Sequence, residues 1–291
     1  MNRVTAAGHT LSFILRHPAN RRRRLRALLT FTGWQLWKRA TGRPVVTTFW
    51  SDLRMRVHPD SKSASLALYT RLPEYDDMLF TARVLRPGDL VVDVGANVGL
   101  YTLIAASRVG GGRVIALEPD PLAARRLEDN LMLNGIRNVD VRLAAAGAEA
   151  GEARLTTGLD TTNHIVGDEF ASSIAVRLVT LDDVVGPTAE VALVKLDAEG
   201  FESQVLAGSE RMLREGRVAA WIVEVNGLGS RYGAGDATVL EKFDQAGYQP
   251  FRYDADRNVL ESSRHPDLAK DWNLIFARDG VELSRRLSSQ A

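Results

Sequence analysis

A run of twelve residues, Val91 to Thr102, VVDVGANVGLYT, restricts the fold of this chain more than any other stretch. Val91, Val92 and Val94 form the β-branched apolar run of a strand buried on both faces, as strands of parallel sheets are. Gly95 and Gly99 bracket a turn in which backbone comes close to another group, and Leu100, Leu103, Ile104 and Ala105 begin a helical stripe. Strand, glycine turn and helix in this order open a βαβ unit, and the turn is where such a unit binds its ligand.

The chemistry around the glycines narrows the ligand. The dinucleotide fingerprint G-x-G-x-x-G is absent. A pyrophosphate needs bare amides at a helix N-terminus, whereas Asp93 places a carboxylate two residues before the first glycine. That carboxylate repels phosphate and suits a ligand carrying an ammonium and a sulfonium, as S-adenosylmethionine does. A second strand, Arg113 to Leu117, ends in Glu118, nineteen residues after Gly99, where an acid grips ribose hydroxyls. The plain alternative is that Asp93 caps the turn and Glu118 is a loop acid before Pro119.

Apolar periodicity extends the pattern. Strands are expected at 91–94, 113–117, 139–144, 191–196, 220–225, 249–253 and 274–277, alternating with helices at 99–108, 121–134, 202–215 and 237–246. This predicts an α/β fold, a doubly wound, Rossmann-like, mostly parallel seven-stranded sheet with an antiparallel C-terminal edge hairpin made by the last two strands. Residues 1–70 read as a basic helical arm with a short β-hairpin over 44–58, and a helix over 69–85 leads into the sheet. Residues 71–280 form the main domain, with an insertion at about 147–185 placed over the site, and 281–291 are a tail.

Charge is unevenly distributed. The chain is +1 overall, but its first fifty residues hold ten Arg or Lys and no Asp or Glu, leaving 27 basic against 36 acidic residues in the remainder. The arm's clusters Leu11 to Leu15, Leu25 to Leu29 and Phe31 to Trp37 have amphipathic spacing. Packing on the body with solvated arginines is the expected role; contact with a membrane surface is the other. The absence of cysteine excludes disulfides, thiolate zinc sites and a cysteine nucleophile. No run reaches the length of a membrane span and no secretory h-region is present, so a cytoplasmic protein is expected.

Two strand ends concentrate acids. Lys195, Leu196, Asp197, Ala198, Glu199, Gly200, Phe201 and Glu202 end one strand, and Glu224, Val225 and Asn226 end the next. Carboxyl ends of strands are where doubly wound sheets bind ligands. Asp197 and Glu199 are candidates for proton transfer or for holding a hydroxyl. Glu199 and Glu202 equally suit the first turn of a helix. Asp197, Glu224 and Asn226 form a candidate oxygen-rich divalent site. Of the five histidines, His17, His58 and His265 precede proline and His9 lies in the arm; His164, in the polar stretch Thr161 to His164, is a candidate base.

The turn from Asp93 to Gly99 with Tyr101 and Thr102, the acid Glu118, the step Thr180 to Asp183 and above all KLDAEGFE at 195–202 resemble the FkbM family of class I S-adenosylmethionine-dependent methyltransferases. The resemblance covers roughly residues 70–278. It implies O-methylation of a hydroxyl on a sugar, glycan or polyketide-type acceptor. It makes Asp93, Gly95, Ala96, Asn97, Gly99, Tyr101, Thr102, Glu118 and Asp197 cofactor contacts, and puts Asp197 and Glu199 at the reaction centre. Two rivals stand beside it: an NAD-dependent oxidoreductase, and a nucleic-acid methyltransferase or binder recruited through the arginine arm. The missing glycine spacing opposes the first. The net acidic body, and the lack of an Asn/Asp-Pro-Pro-aromatic segment, oppose the second.

Overall fold

The computed structural model describes residues 3–158, 162–167, 170, 172–233, 235–263, 266 and 273–288, so Thr161 and His265 lie outside the described residues. The chain divides into two compact units, Met1–Tyr75 and Asp76–Ala291.

The N-terminal unit runs α1 (Arg3–Arg16), a 3-10 turn Pro18–Asn20, α2 (Arg24–Thr41), β1 (Val45–Trp50), β2 (Leu53–Val57) and α3 (Lys62–Thr70). His17 ends α1 as a turn residue, its Nδ1 accepting from the Ala19 amide at 3.3 Å. Asn20 is buried and donates to the carbonyls of Ile14 and Tyr69, knitting α1 to α3. Trp34 on α2 is buried with its indole donating to Ser65 Oγ at 3.1 Å, yet Leu25, Leu29 and Leu36 of the same helix are exposed. The arm is thus only half packed. The helix expected over 69–85 is two helices. Arg71 takes φ 68 after α3, and Pro73 has no amide and restricts Leu72.

The second unit continues with α4 (Tyr75–Val84), β3 (Leu90–Val94), α5 (Leu100–Val109), β4 (Arg113–Leu117), α6 (Pro121–Leu133) and β5 (Val139–Arg142). The insertion supplies β6 (Ala145–Ala146), β7 (Gly151–Thr156), β8 (Ile165–Val166) and β9 (Ser173–Val179). Then follow α7 (Leu181–Val185), β10 (Val191–Leu196), α8 (Glu202–Ala207), α9 (Glu210–Glu215) and β11 (Val218–Glu224). A 3-10 turn Leu228–Tyr232, α10 (Asp236–Gln245), β12 (Gln249–Asp254), β13 (Val259–Ser262), β14 (Asn273–Ala277) and α11 (Gly280–Ser288) complete it.

The main sheet is α/β and Rossmann-like, in the order β13-β12-β14-β11-β10-β3-β4-β5, with β11 through β5 mutually parallel. It has eight strands where seven were expected. The additional strand is β13, and the edge hairpin is β12–β13, because β14 inserts antiparallel between β11 and β12. Every residue of β10 is buried, as a strand in the middle of a covered sheet requires. The helix expected over 202–215 is also two. Gly208 lies where a Cβ would sit 2.0 Å from the Gly147 carbonyl, and Asp182 accepts the amides of Arg211 and Met212 at the start of α9. The region 147–185 folds with Ala145–Ala146 into a second sheet, β6-β9-β7-β8. Of the expected tail, residues 281–288 belong to helix α11, whose Leu283 and Leu287 are buried.

The chain winds outward from β3 to β5 and returns to β10 on the other side of β3, which makes the β3–β10 boundary the switch point where doubly wound sheets bind ligands. Register fixes what meets there. Val94 pairs with Leu117 and with Leu196, and Leu196 with Val223. Gly95, Glu118, Asp197 and Glu224 therefore leave four adjacent strands at one level.

Candidate active site

The glycine turn is held from three sides. The amides of Gly95 and Ala96 donate to the Leu117 carbonyl at 2.9 and 3.0 Å, and the Asp197 amide donates to the Val94 carbonyl at 3.1 Å. Gly95 has φ 75, and a Cβ there would lie 1.9 Å from the Asp197 carbonyl oxygen. Gly99 opens α5 at φ 96 with Leu127 filling the space a side chain would need. Asn97 adopts φ 50 and its Oδ1 accepts from the Val98 amide, a local bond that suits asparagine to this conformation. Buried Asn130 of α6 donates to the Val98 carbonyl at 2.9 Å.

Two acids frame the turn. Asp93 is buried, and its Oδ2 accepts from Thr102 Oγ1 at 2.5 Å, tying strand end to helix start. Burial pushes Asp93 up to about 6, against the Thr102 hydrogen bond and the Lys195 charge. Glu118 is also buried; its Oε2 accepts from the Asn97 amide at 2.7 Å and its Oε1 from the Asp120 amide at 2.8 Å. Burial pushes it up to about 7. Each of its oxygens keeps further acceptor capacity. The plain structural role of both acids is thus real, and it leaves room for a ligand.

The segment KLDAEGFE splits into two jobs. Lys195 lies within the apolar strand β10 with only 2% of its surface exposed; its Nζ is 3.4 Å from Asp197 Oδ2, 3.5 Å from Asn273 Oδ1 and 5.3 Å from the centre of the Tyr101 ring. Glu202 faces inward, its Oε1 accepting from the amides of Ala198 and Gly200 at 2.9 and 3.2 Å. It is a loop clasp, which sets the unusual backbone of Glu199 at φ 53 and Gly200 at φ 98.

Asp197, Glu199 and Glu224 converge, with one oxygen of each within 4.8 Å of the others. Glu224 is pushed up to about 10 by burial and then by the Asp197 charge, so it carries a proton at neutral pH. Among the described residues its buried Oε2 has no hydrogen-bond partner. Glu199 is pushed up to about 7 by burial, then by Asp197 and Glu202, with Arg231 and Lys195 opposing. Of the expected set Asp197, Glu224 and Asn226, the two acids meet here together with Glu199, while Asn226 Oδ1 accepts from the Leu228 amide at 3.0 Å as a turn cap.

His164 lies apart from this trio. Its Nδ1 is 3.0 Å from the Thr162 carbonyl, and among the described residues no hydrogen bond or ion pair joins it to Asp197, Glu199 or Glu224. The insertion that carries it is nevertheless tied to the site. Asn163 donates to Asp120 at 2.7 Å, and Tyr232 Oη donates to the Ile165 carbonyl at 2.8 Å while its ring meets Phe201 at 5.0 Å. Sequence reading left Lys195, Asn273 and Tyr232 without roles. A lysine inside VALVKL was the one available signal, since a buried ammonium needs partners; nothing local marks Asn273 or Tyr232.

Tested against a cofactor, these residues fit a ribose-bearing cation: the carboxyl groups of Asp93, Glu118, Asp197 and Glu199 outnumber Lys195 and Arg231 around the turn even with Glu224 neutral. The chain is 29% identical over 263 residues to the AMB antimetabolite synthetase AmbE of Pseudomonas aeruginosa, covering 72% of this chain and 12% of that protein. It is 30% identical over 160 residues to the 31-O-demethyl-FK506 methyltransferase FkbM of Streptomyces tacrolimicus, covering 43% of this chain and 61% of the relative. A crystal structure of a SAM-dependent O-methyltransferase from Thermotoga maritima superposes with a TM-score of 0.40 at 15% identity, covering 69% of this chain and 63% of that one. Residues 93–250, from the acid before the glycine turn to the start of β12, match the Methyltransferase FkbM domain, and the chain belongs to the FkbM methyltransferase family.

Proposed function

We propose that this protein is an S-adenosylmethionine-dependent O-methyltransferase acting on a hydroxyl of a sugar, glycan or polyketide-type acceptor. The observation that carries the reading is the juxtaposition of the acid trio Asp197, Glu199 and Glu224 with a glycine turn framed by Asp93 and Glu118. When bound, S-adenosylmethionine supplies an electrophilic methyl group on a positively charged sulfur.

The chain's residues supply the rest. Glu118, which keeps acceptor capacity beyond its bond from the Asn97 amide, holds the ribose side, and Asp93, through Thr102, holds the turn in place. Protonated Glu224 donates and Asp197 accepts, a pair suited to orienting neighbouring hydroxyls of a polyhydroxyl acceptor. Glu199, on its strained backbone at the mouth, takes the acceptor proton as oxygen attacks. Lys195 offsets the negative charge without reaching solvent. The acid mouth disfavours phosphate-rich acceptors and with them nucleic acid.

Calorimetry with S-adenosylhomocysteine and with NAD tests the cofactor, and heat with NAD alone would overturn the reading. Glu199→Gln is expected to retain S-adenosylhomocysteine binding and to lose roughly 10²- to 10⁴-fold in labelled methyl transfer to acceptor extracts. Transfer that survives Glu199→Gln but fails in His164→Ala would move the base to the insertion. A second reading, a divalent cation on the acid trio, is favoured by the 4.8 Å clustering alone. Loss of transfer on chelation, restored by added Mg²⁺ or Mn²⁺, would establish it.

A further inference from the structure

The N-terminal unit contains a cavity of about 480 Å³ that the methyl-transfer reading does not use. Three arginines line it, Arg23, Arg26 and Arg71, together with Thr30, Thr47 and Thr48; no Asp or Glu is among its lining residues. They come from separate places: Arg23 immediately precedes α2, Arg26 follows one turn later, and Arg71 ends α3. Among the described residues, none of the three is in an ion pair with a carboxylate. Arg23 Nε donates to the Ala19 carbonyl at 3.2 Å, which fixes the stem of this guanidinium.

Such an arrangement concentrates positive charge at one half-open pocket, with Arg23 half-buried and Arg26 and Arg71 reaching water. Three cations around one cavity repel one another, and Arg23 is held below the usual arginine range by burial and by the charges of Arg71 and Arg26. Arg71 is also held at φ 68, a conformation that non-glycine residues seldom adopt. A bound dianion turns the repulsion into attraction, and the planar guanidinium matches the oxygens of a phosphoryl group better than any other side chain does. Helix α2, eighteen residues long, starts beside the cavity with no side chain capping its first turn, so its amides and dipole favour the same charge.

We propose that this cavity binds a phosphoryl group, held by Arg23, Arg26 and Arg71. The phosphoryl can be carried by a soluble molecule or by a phospholipid headgroup, and the exposed Leu25 and Leu29 on α2 lie beside the arginines that line the cavity. The inference is independent of the methyl-transfer reading, which concerns the other unit.

Titration calorimetry of the full chain with inorganic pyrophosphate, and flotation with phosphatidylcholine vesicles with and without phosphatidic acid, test it. Binding of pyrophosphate, of phosphatidic acid vesicles, or of both supports it and identifies the source. Arg26→Gln and Arg71→Gln are each expected to weaken binding roughly tenfold, the scale of one lost charge-assisted hydrogen bond. Arg24→Gln, on the same helix but not lining the cavity, is expected to leave it unchanged. Arg71→Gly removes the charge while relieving the backbone, so weakened binding with undiminished thermal stability separates loss of the site from misfolding. Binding to neither ligand, or equal weakening by Arg24→Gln and Arg26→Gln, would overturn the proposal in favour of a diffuse basic surface.

Discussion

At Gly95 the constraint is a distance. The Asp197 carbonyl occupies the place of a side chain, and φ 75 is already costly for any residue with a Cβ. Gly95→Ala is therefore expected to push β3 and the loop after β10 apart, lowering Tm by several degrees and abolishing S-adenosylhomocysteine binding. Unchanged binding by calorimetry would show that the turn and Asp197 are not coupled. Which acids matter was partly legible at this scale. Asp93 and Glu118 stood out by spacing from the glycines, and Asp197 and Glu199 by their place at a strand end. Glu202 looked like a helix-start acid, and its grip on the Ala198 and Gly200 amides appears only when the loop is closed.

Elements were read where their signals are local and misread where packing decides. The β3, β4 and β10 strands and α5, α6 and α10 were expected within a residue or two, because apolar period and caps such as Asp120 before Pro121 mark them. The breaks at Arg71 and Gly208, and the placement of β14 between β11 and β12, follow from long-range contacts no window of sequence contains. The insertion shows the consequence for function. Tyr232→Phe keeps the ring against Phe201 but removes the bond to the Ile165 carbonyl. The expected result is a stability loss of about 1 kcal/mol and faster hydrogen exchange in β8, with S-adenosylhomocysteine affinity retained. Unchanged exchange in β8 would mean that Tyr232 does not hold β8 in place.

The whole molecule gathers carboxyl groups that resist ionisation at the carboxyl ends of its central strands. Glu224 ionises near 4.5 when exposed in the unfolded chain and near 10 in the folded one, so the folded state holds a proton that the unfolded state releases between those values. Stability contributed at this site is greatest below about pH 4.5 and falls as pH rises. Glu224→Gln stays neutral in both states. It is expected to stabilise the fold at pH 7 and to lose that advantage as pH falls through about 4.5, read as Tm against pH. A gain independent of pH would show that the carboxyl is not held protonated. Asp93, Glu118 and Glu199 lean the same way, so a cationic ligand is expected to bind with proton release between about pH 6 and 7, measurable by calorimetry in buffers of differing ionisation heat.

Sequence by itself determined the α/β class, the switch-point turn and the family, because β-branched runs, glycines at fixed spacing and KLDAEGFE are properties of neighbours along the chain. It also determined that the first fifty residues are basic. Tertiary structure alone decided the convergence of Asp197, Glu199 and Glu224, the depth of Lys195, the protonation of Glu224 and the arginine cavity. Each of these depends on burial and on charges brought together from distant positions, and neither desolvation nor Coulomb energy is defined until the chain has closed on itself.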